Sequence, residues 1–229
     1  MHEGHAADEE AKLAYPTMRQ AALSQARYRG LEKSGLKPEA DVRRVVWWRV
    51  RGLWRAGQLL PLLGVLGLDA LAIETAWEAP GRTPVWAVVA LPVLTLLWLG
   101  VAARGCLRAW RMARTARQTP NTRMRYLLLH SYTSDAPWLV LFPDAAHSEK
   151  PETDPPVGAL PLSYGPLRDR FRGLPTPTGT AELSGCLEPG SVVIPWVQNQ
   201  PLWPTHGYRP IDLNDQQHFR SMNNLVRPE

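Results

Sequence analysis

Apolar and polar positions divide the chain into six stretches. Residues 1–37 are polar and Ala-rich with a weak apolar stripe, so partial disorder is expected there. Thr17 with Gln20 offers the only helix start in this stretch. At residues 38–56, Pro38 stands at a first helical position with Glu39 and Asp41 in the first turn. Val42, Val46, Val50 and Trp54 follow four apart, which predicts a juxtamembrane amphipathic helix. Residues 57–103 hold two apolar runs, 59–77 and 85–103, joined by a short turn. Each run would be about 28 Å long as a helix, close to the roughly 30 Å hydrocarbon core of a bilayer. A transmembrane helical hairpin is the expectation. Residues 104–119 continue the second run as a basic helix.

Beyond residue 120 the period changes. Short candidate strands at 125–133, 137–142, 157–163, 180–187 and 191–197 are separated by proline- and glycine-rich breaks. Residues 120–210 are therefore predicted to form a small cytoplasmic barrel or sandwich. Residues 211–229 make a tail with a cap at Asn214 and a short polar helix at 215–223. The expected fold class is a membrane α-helical hairpin of two transmembrane helices plus a small C-terminal all-β domain, α+β overall.

The two apolar runs are unequal. The second carries no charge, whereas the first contains Asp69 and Glu74. Large aliphatic residues favour insertion of the first run by about 3–5 kcal/mol, and a central Asp opposes it by about 3 kcal/mol. The competing expectation is a buried core hairpin of a soluble protein. Intramembrane acids mark function by default, so Asp69 is a candidate for proton or cation handling. The plainer reading of Asp69 is a local packing or oligomer contact, and Thr95 is the hydroxyl of the second run at similar depth. Gly57, Gly64 and Gly67 project to one side of the first run, where small residues let helices approach closely.

Charge sets the orientation. The chain has a net charge of +5, with 22 arginines against 4 lysines. The arginine excess fits a GC-rich bacterial coding bias as readily as selection for guanidinium. Arg43, Arg44, Arg49, Arg51 and Arg55 precede the hairpin, and Arg104, Arg108, Arg111, Arg114 and Arg117 follow it, leaving Arg82 alone in the turn. Positive residues stay in the cytoplasm, which predicts a multi-pass inner-membrane protein with both termini cytoplasmic. Trp47, Trp48, Trp54 and Trp110 suit the interfacial belt. The arginines are expected to bind anionic lipid at about 1 kcal/mol each. Nucleic-acid phosphates are the sharper alternative, without a recognition motif to support them. Residues 1–10 lack a basic region followed by an apolar one, so no signal peptide is expected and the first apolar run acts as its own insertion signal.

Candidate chemistry is sparse. Cys106 and Cys186 make no disulfide framework and fit a reducing compartment. Cys186 reads as a buried small hydrophobe in a strand, and Cys106 at the membrane edge is open to acylation. His2, His5 and Glu3 form a loose terminal cluster, and His130, His147, His206 and His218 have no metal-ligand spacing. No phosphate loop, dinucleotide fingerprint or nucleophile elbow occurs. No catalytic residue, metal or cofactor is therefore expected. Trp138, Trp196 and Trp203 read as core or rim residues, with Trp196, Trp203 and Tyr208 as a candidate partner groove. These features predict a non-enzymatic anchor, adaptor or assembly subunit in a membrane complex. Its expected partners are the anionic inner leaflet and a protein, with homo-oligomers also allowed. The alternatives are an oligomeric pore built around Asp69 and a membrane-tethered, non-specific DNA-binding protein.

Overall fold

A computed structural model describes residues 13–29, 36, 40–50, 52–53, 59–78, 85–148, 150–162 and 174–226. The chain is α+β and divides into two compact units: Met1–Glu39 with Thr115–Glu229, and Ala40–Arg114.

The first unit is built on one antiparallel sheet of seven strands. These are β1 (Thr122–His130), β2 (Pro137–Phe142), β3 (Gly158–Pro161), β4 (Thr178–Ser184), β5 (Ile194–Val197), β6 (Gln200–Pro201) and β7 (Arg209–Pro210). Their order is β6-β5-β4-β1-β2-β3-β7. The sheet curls into a half-barrel, neither the closed barrel nor the two-sheet sandwich expected from strand spacing. Its edges, β6 and β7, are two residues long and each contains a proline, Pro201 and Pro210. Proline removes a ladder donor, so these edges cannot extend the pairing that closure would need. Between β5 and β6 a two-residue turn places Gln198 and Asn199 at φ 51° and 60°. Two consecutive left-handed residues give the turn twist that matches the flanking strands.

Both faces of the sheet are covered. In β1, Tyr126 and Leu128 enter one core with Leu139, Leu141, Leu160 and Leu183. Their neighbours Leu127 and Leu129 enter a second core with Val140 and Phe142. Double coverage explains why Tyr126–Leu129 is an unbroken apolar run instead of an alternating one.

Two helices cover the second face. Helix α1 (Tyr15–Tyr28) has Pro16 in its first turn and buries Met18, Ala22, Gln25 and Ala26. Leu13–Arg29 is thus an ordered part of the core, where the sequence predicted partial disorder. Its stripe is made largely of alanine, too small to give a strong apolar signal, yet it allows close approach to β1. The C-terminal helix, called α4 below, spans Gln216–Val226 and is amphipathic, burying Met222 and Leu225. Its cap is Asp215, whose carboxylate accepts the Gln217 N–H at 2.8 Å, and not Asn214, which donates to Asp212. Gln25 ties both helices to the sheet: its amide donates to Leu225 C=O at 2.7 Å and accepts His130 N–H at 2.8 Å.

The second unit contains α2 (Leu59–Glu78) and most of α3 (Val85–Ala116). Among the described residues, Val93–Ala116 is the one segment long and apolar enough to cross a membrane. Helix α2 is 20 residues long but carries Asp69 and Glu74. Helix α3 runs unbroken through the apolar run and the arginine-bearing stretch after it, as the sequence predicts. The juxtamembrane helix predicted at 38–56 is not formed between Ala40 and Val50. Asp41 caps a short turn there through Arg43 N–H, and a 3-10 turn follows at Trp47–Arg49. Val46 is extended between them, at φ −71° and ψ 143°. The run Val45-Val46-Trp47-Trp48 is β-branched and aromatic, which disfavours helix through lost side-chain freedom. Arg51, Trp54, Arg55 and Gly57 lie outside the described residues.

Candidate functional site

In the second unit the helices leave apolar side chains facing outward. Leu63, Leu68, Leu71 and Ile73 on α2, and Leu96 and Leu97 on α3, are 60–68% exposed. Isolated exposed leucines are ordinary, but six exposed aliphatic side chains on two helices are more than scattered surface residues, and one of the helices holds a segment long and apolar enough to cross a membrane. Thr95 Oγ donates to Asp69 Oδ2, so the acid of α2 meets the hydroxyl of α3. One carboxylate oxygen of Asp69 is thereby hydrogen-bonded within the chain, while Oδ1 is buried with no hydrogen-bond partner among the described residues. No atom lies within 4 Å of a Cβ built on Gly64 or Gly67, so among the described residues nothing uses their small-residue face.

Arg104, Arg111 and Arg114 are exposed on α3, and Arg117 is exposed just beyond its end. Arg108 is half-buried on the same helix. The opposite face buries Ala102, Ala109, Ala113 and Ala116, so the stripe is displayed outward. Trp110 is also exposed, with the Arg114 guanidinium 5.7 Å from its ring centre. Arg43, Arg44 and Arg49 are exposed around the 3-10 turn, where Trp47 and Trp48 pack edge to face. Cys106 is half-buried on α3.

In the first unit the candidate groove of three aromatics is not assembled. Trp196 is buried and donates its indole N–H to Ser184 Oγ at 3.0 Å. Trp203 is buried as well. Tyr208 lies in the core and donates to Val157 C=O at 2.9 Å, with burial raising its phenol pKa. Tyr208 borders a cleft that neither Trp196 nor Trp203 lines. Cys186 lies past the end of β4 and is exposed, not buried in the strand, and Glu188 beside it raises its thiol pKa. Among the described residues no three His, Cys, Asp or Glu side chains gather to hold a metal ion.

That cleft, about 730 Å³, was not legible in the sequence. Trp138 of β2, Ala159 of β3 and Tyr208 border it on the sheet side, and Gln217, His218 and Ser221 border it on α4. Two glycines make its geometry. A Cβ on Gly158 would stand 2.3 Å from the Tyr208 ring, so glycine leaves room for that ring. A Cβ on Gly207 would stand 2.2 Å from Gly190 C=O, so glycine lets the chain pair closely with the turn at 189–190. Gly190 N–H donates to Tyr208 C=O and Tyr208 N–H to Ser191 C=O, both at 2.8 Å. His206 and His218, twelve residues apart and without a motif, thereby border one opening.

His130 is a different kind of histidine. It is 1% exposed at the end of β1, and burial lowers its pKa to about 4. Arg29 adds to that depression and Asp135 partly opposes it; the two side chains form an ion pair with each other. No family model, curated protein or solved structure matches this chain.

Proposed function

We propose that the chain is a non-enzymatic inner-membrane anchor or adaptor that presents its half-barrel unit to a protein partner. In this reading α2 and α3 insert as a hairpin, both termini remain cytoplasmic, and the outward arginines rest on anionic headgroups. The observation that carries it is the exposed apolar surface of α2 and α3, followed on α3 by Arg104, Arg111 and Arg114. Apolar side chains gain about 0.8 kcal/mol per CH₂ on leaving water, so such a surface is stable in lipid and a liability in solution. The Thr95–Asp69 hydrogen bond supports insertion of the two helices as a pair, since it partners one carboxylate oxygen of the acid near mid-depth.

Alkaline carbonate extraction tests the anchor. The full chain is expected in the membrane pellet, and Leu96→Arg with Leu97→Arg is expected to move it to the supernatant. A reporter fused after residue 229 should be active in the cytoplasm, and one placed in the turn at 79–84 should be active outside. Wild-type chain in the supernatant would sink the reading.

A further inference from the structure

The structure assigns the cleft between α4 and the β2–β3–β7 edge as a binding site for a small organic anion with an apolar or aromatic body. Its volume of about 730 Å³ lies within the range of small-molecule sites, roughly 300–1,000 Å³. The inference goes beyond the anchoring role and stands without it, because every bordering residue belongs to the half-barrel unit.

The lining chemistry is one-sided. Arg209, His206 and His218 supply cationic or N–H donor groups, and Ser131 and Ser221 supply hydroxyls. Among the described residues no aspartate or glutamate borders the cleft. Four acids lie within two residues of the lining: Glu188, Asp135, which pairs with Arg29, Asp212, which accepts from Asn214, and Asp215, which caps α4. His218 Nδ1 accepts the Asp212 N–H at 3.3 Å, which leaves Nε2–H as the ring's donor. Asp215 Oδ2 lies 3.9 Å from His218 Nδ1 and competes for that ring, so the donor an entering anion meets without a neighbouring carboxylate is Arg209.

Arg209 is exposed on β7 and lies beside an aromatic ring of the cleft. Its backbone pairs with Ala159 across β3 and β7, and its guanidinium lies 5.3 Å from the Trp138 ring centre. Stacking on an aromatic face uses the plane of a guanidinium and leaves its N–H groups pointing outward along the edges. Those donors match a carboxylate or phosphate in a bidentate pair. Trp138 is half-buried, and with Met222 it gives the cleft apolar surface beside the charge. A bare inorganic anion would leave that surface wet, whereas a neutral apolar molecule would leave the donors unsatisfied.

Calorimetric titration of the full chain in nanodiscs tests this, with phenyl phosphate as probe and empty nanodiscs as reference. Phenyl phosphate should bind saturably at one site, inorganic phosphate more weakly, and benzyl alcohol not at all over the same range. Arg209→Gln should weaken phenyl phosphate binding about tenfold or more, as loss of a charged hydrogen-bond pair does. Arg209→Lys should recover only part of it. Trp138→Leu should erase the advantage of phenyl phosphate over inorganic phosphate. Unchanged near-ultraviolet dichroism in each variant keeps a folding defect separate from a binding defect. The assignment is overturned if phenyl phosphate does not saturate, if benzyl alcohol binds equally, or if a folded Arg209→Gln variant binds as wild type.

Discussion

His130 and Arg125 show two ways in which one strand buries a basic side chain. His130 is buried and stays neutral, with its pKa lowered to about 4 from the ordinary 6.5. Between those values an unfolded chain binds a proton that the folded chain refuses. Stability is therefore fully present above about pH 6.5 and is lost as pH falls toward 4, by up to about 3 kcal/mol. Urea unfolding midpoints across that range should fall with acid in the wild type and fall less steeply in His130→Phe and His130→Gln. Equal slopes would show that another group carries the acid sensitivity. Arg125 is buried and held by hydrogen bonds. It donates Nε–H to Pro143 C=O and an Nη1–H to Pro151 C=O, both at 2.8 Å, and an Nη2–H to Asp154 at 2.5 Å. It also lies 4.4 Å from the Tyr15 ring centre at the start of α1. One side chain thus fastens segment 143–154 and α1 to β1. Arg125→Met would strand a mostly buried carboxylate, at a cost of about 3–5 kcal/mol. Arg125→Met combined with Asp154→Leu should recover part of that loss in denaturant midpoints, and no recovery would mean the carbonyl contacts dominate.

Among the elements, α1 is the one whose importance exceeds its sequence signal. It lies in the same unit as strands that begin about a hundred residues later. It covers Leu127, Leu129 and Phe142 with Met18 and Ala22, and Tyr15 meets Phe142 edge to face at 5.0 Å. A fragment of residues 115–229 would expose that face, and each uncovered leucine or phenylalanine side chain costs about 1.5–3 kcal/mol. The fragment should aggregate or bind a hydrophobic dye, and a peptide of residues 13–29 added in trans should raise its solubility and lower dye binding. Dye binding unchanged by the peptide would contradict the packing of α1. The strands were legible to within a few residues because β-branched and leucine-rich runs alternate with Pro and Gly breaks. Strands β6 and β7 were not, because two-residue strands containing proline carry no period. The basic stretch predicted as helix over 104–119 is helical as far as Ala116, since its apolar and charged positions recur at three- and four-residue steps. The stretch at 40–50 reads wrongly, since valines four apart mimic a helical face while their branching and the adjacent tryptophans favour extended and turn conformations.

At the scale of the molecule, residues distant in sequence decide what is built. The half-barrel unit is discontinuous, with α1 from one end of the chain and the strands and α4 from the other. By itself the sequence determined the helical apolar segments, the arginines that follow them, and the change to short strands after residue 120. Those are local: they need only a period and a charge count. It also placed Thr95 at a depth similar to that of Asp69, because depth in two helices is a matter of counting residues, while the hydrogen bond between them came from the structure. The tertiary structure alone decided that the sheet stays open, that the buried Trp196 donates to Ser184, and that Arg209, His206 and His218 share a cleft. Those outcomes depend on curvature, on two proline-bearing edges, and on glycines at 158 and 207 that let backbone and ring approach within contact distance. No pattern along the chain encodes such distances, because each is set by a residue from another strand.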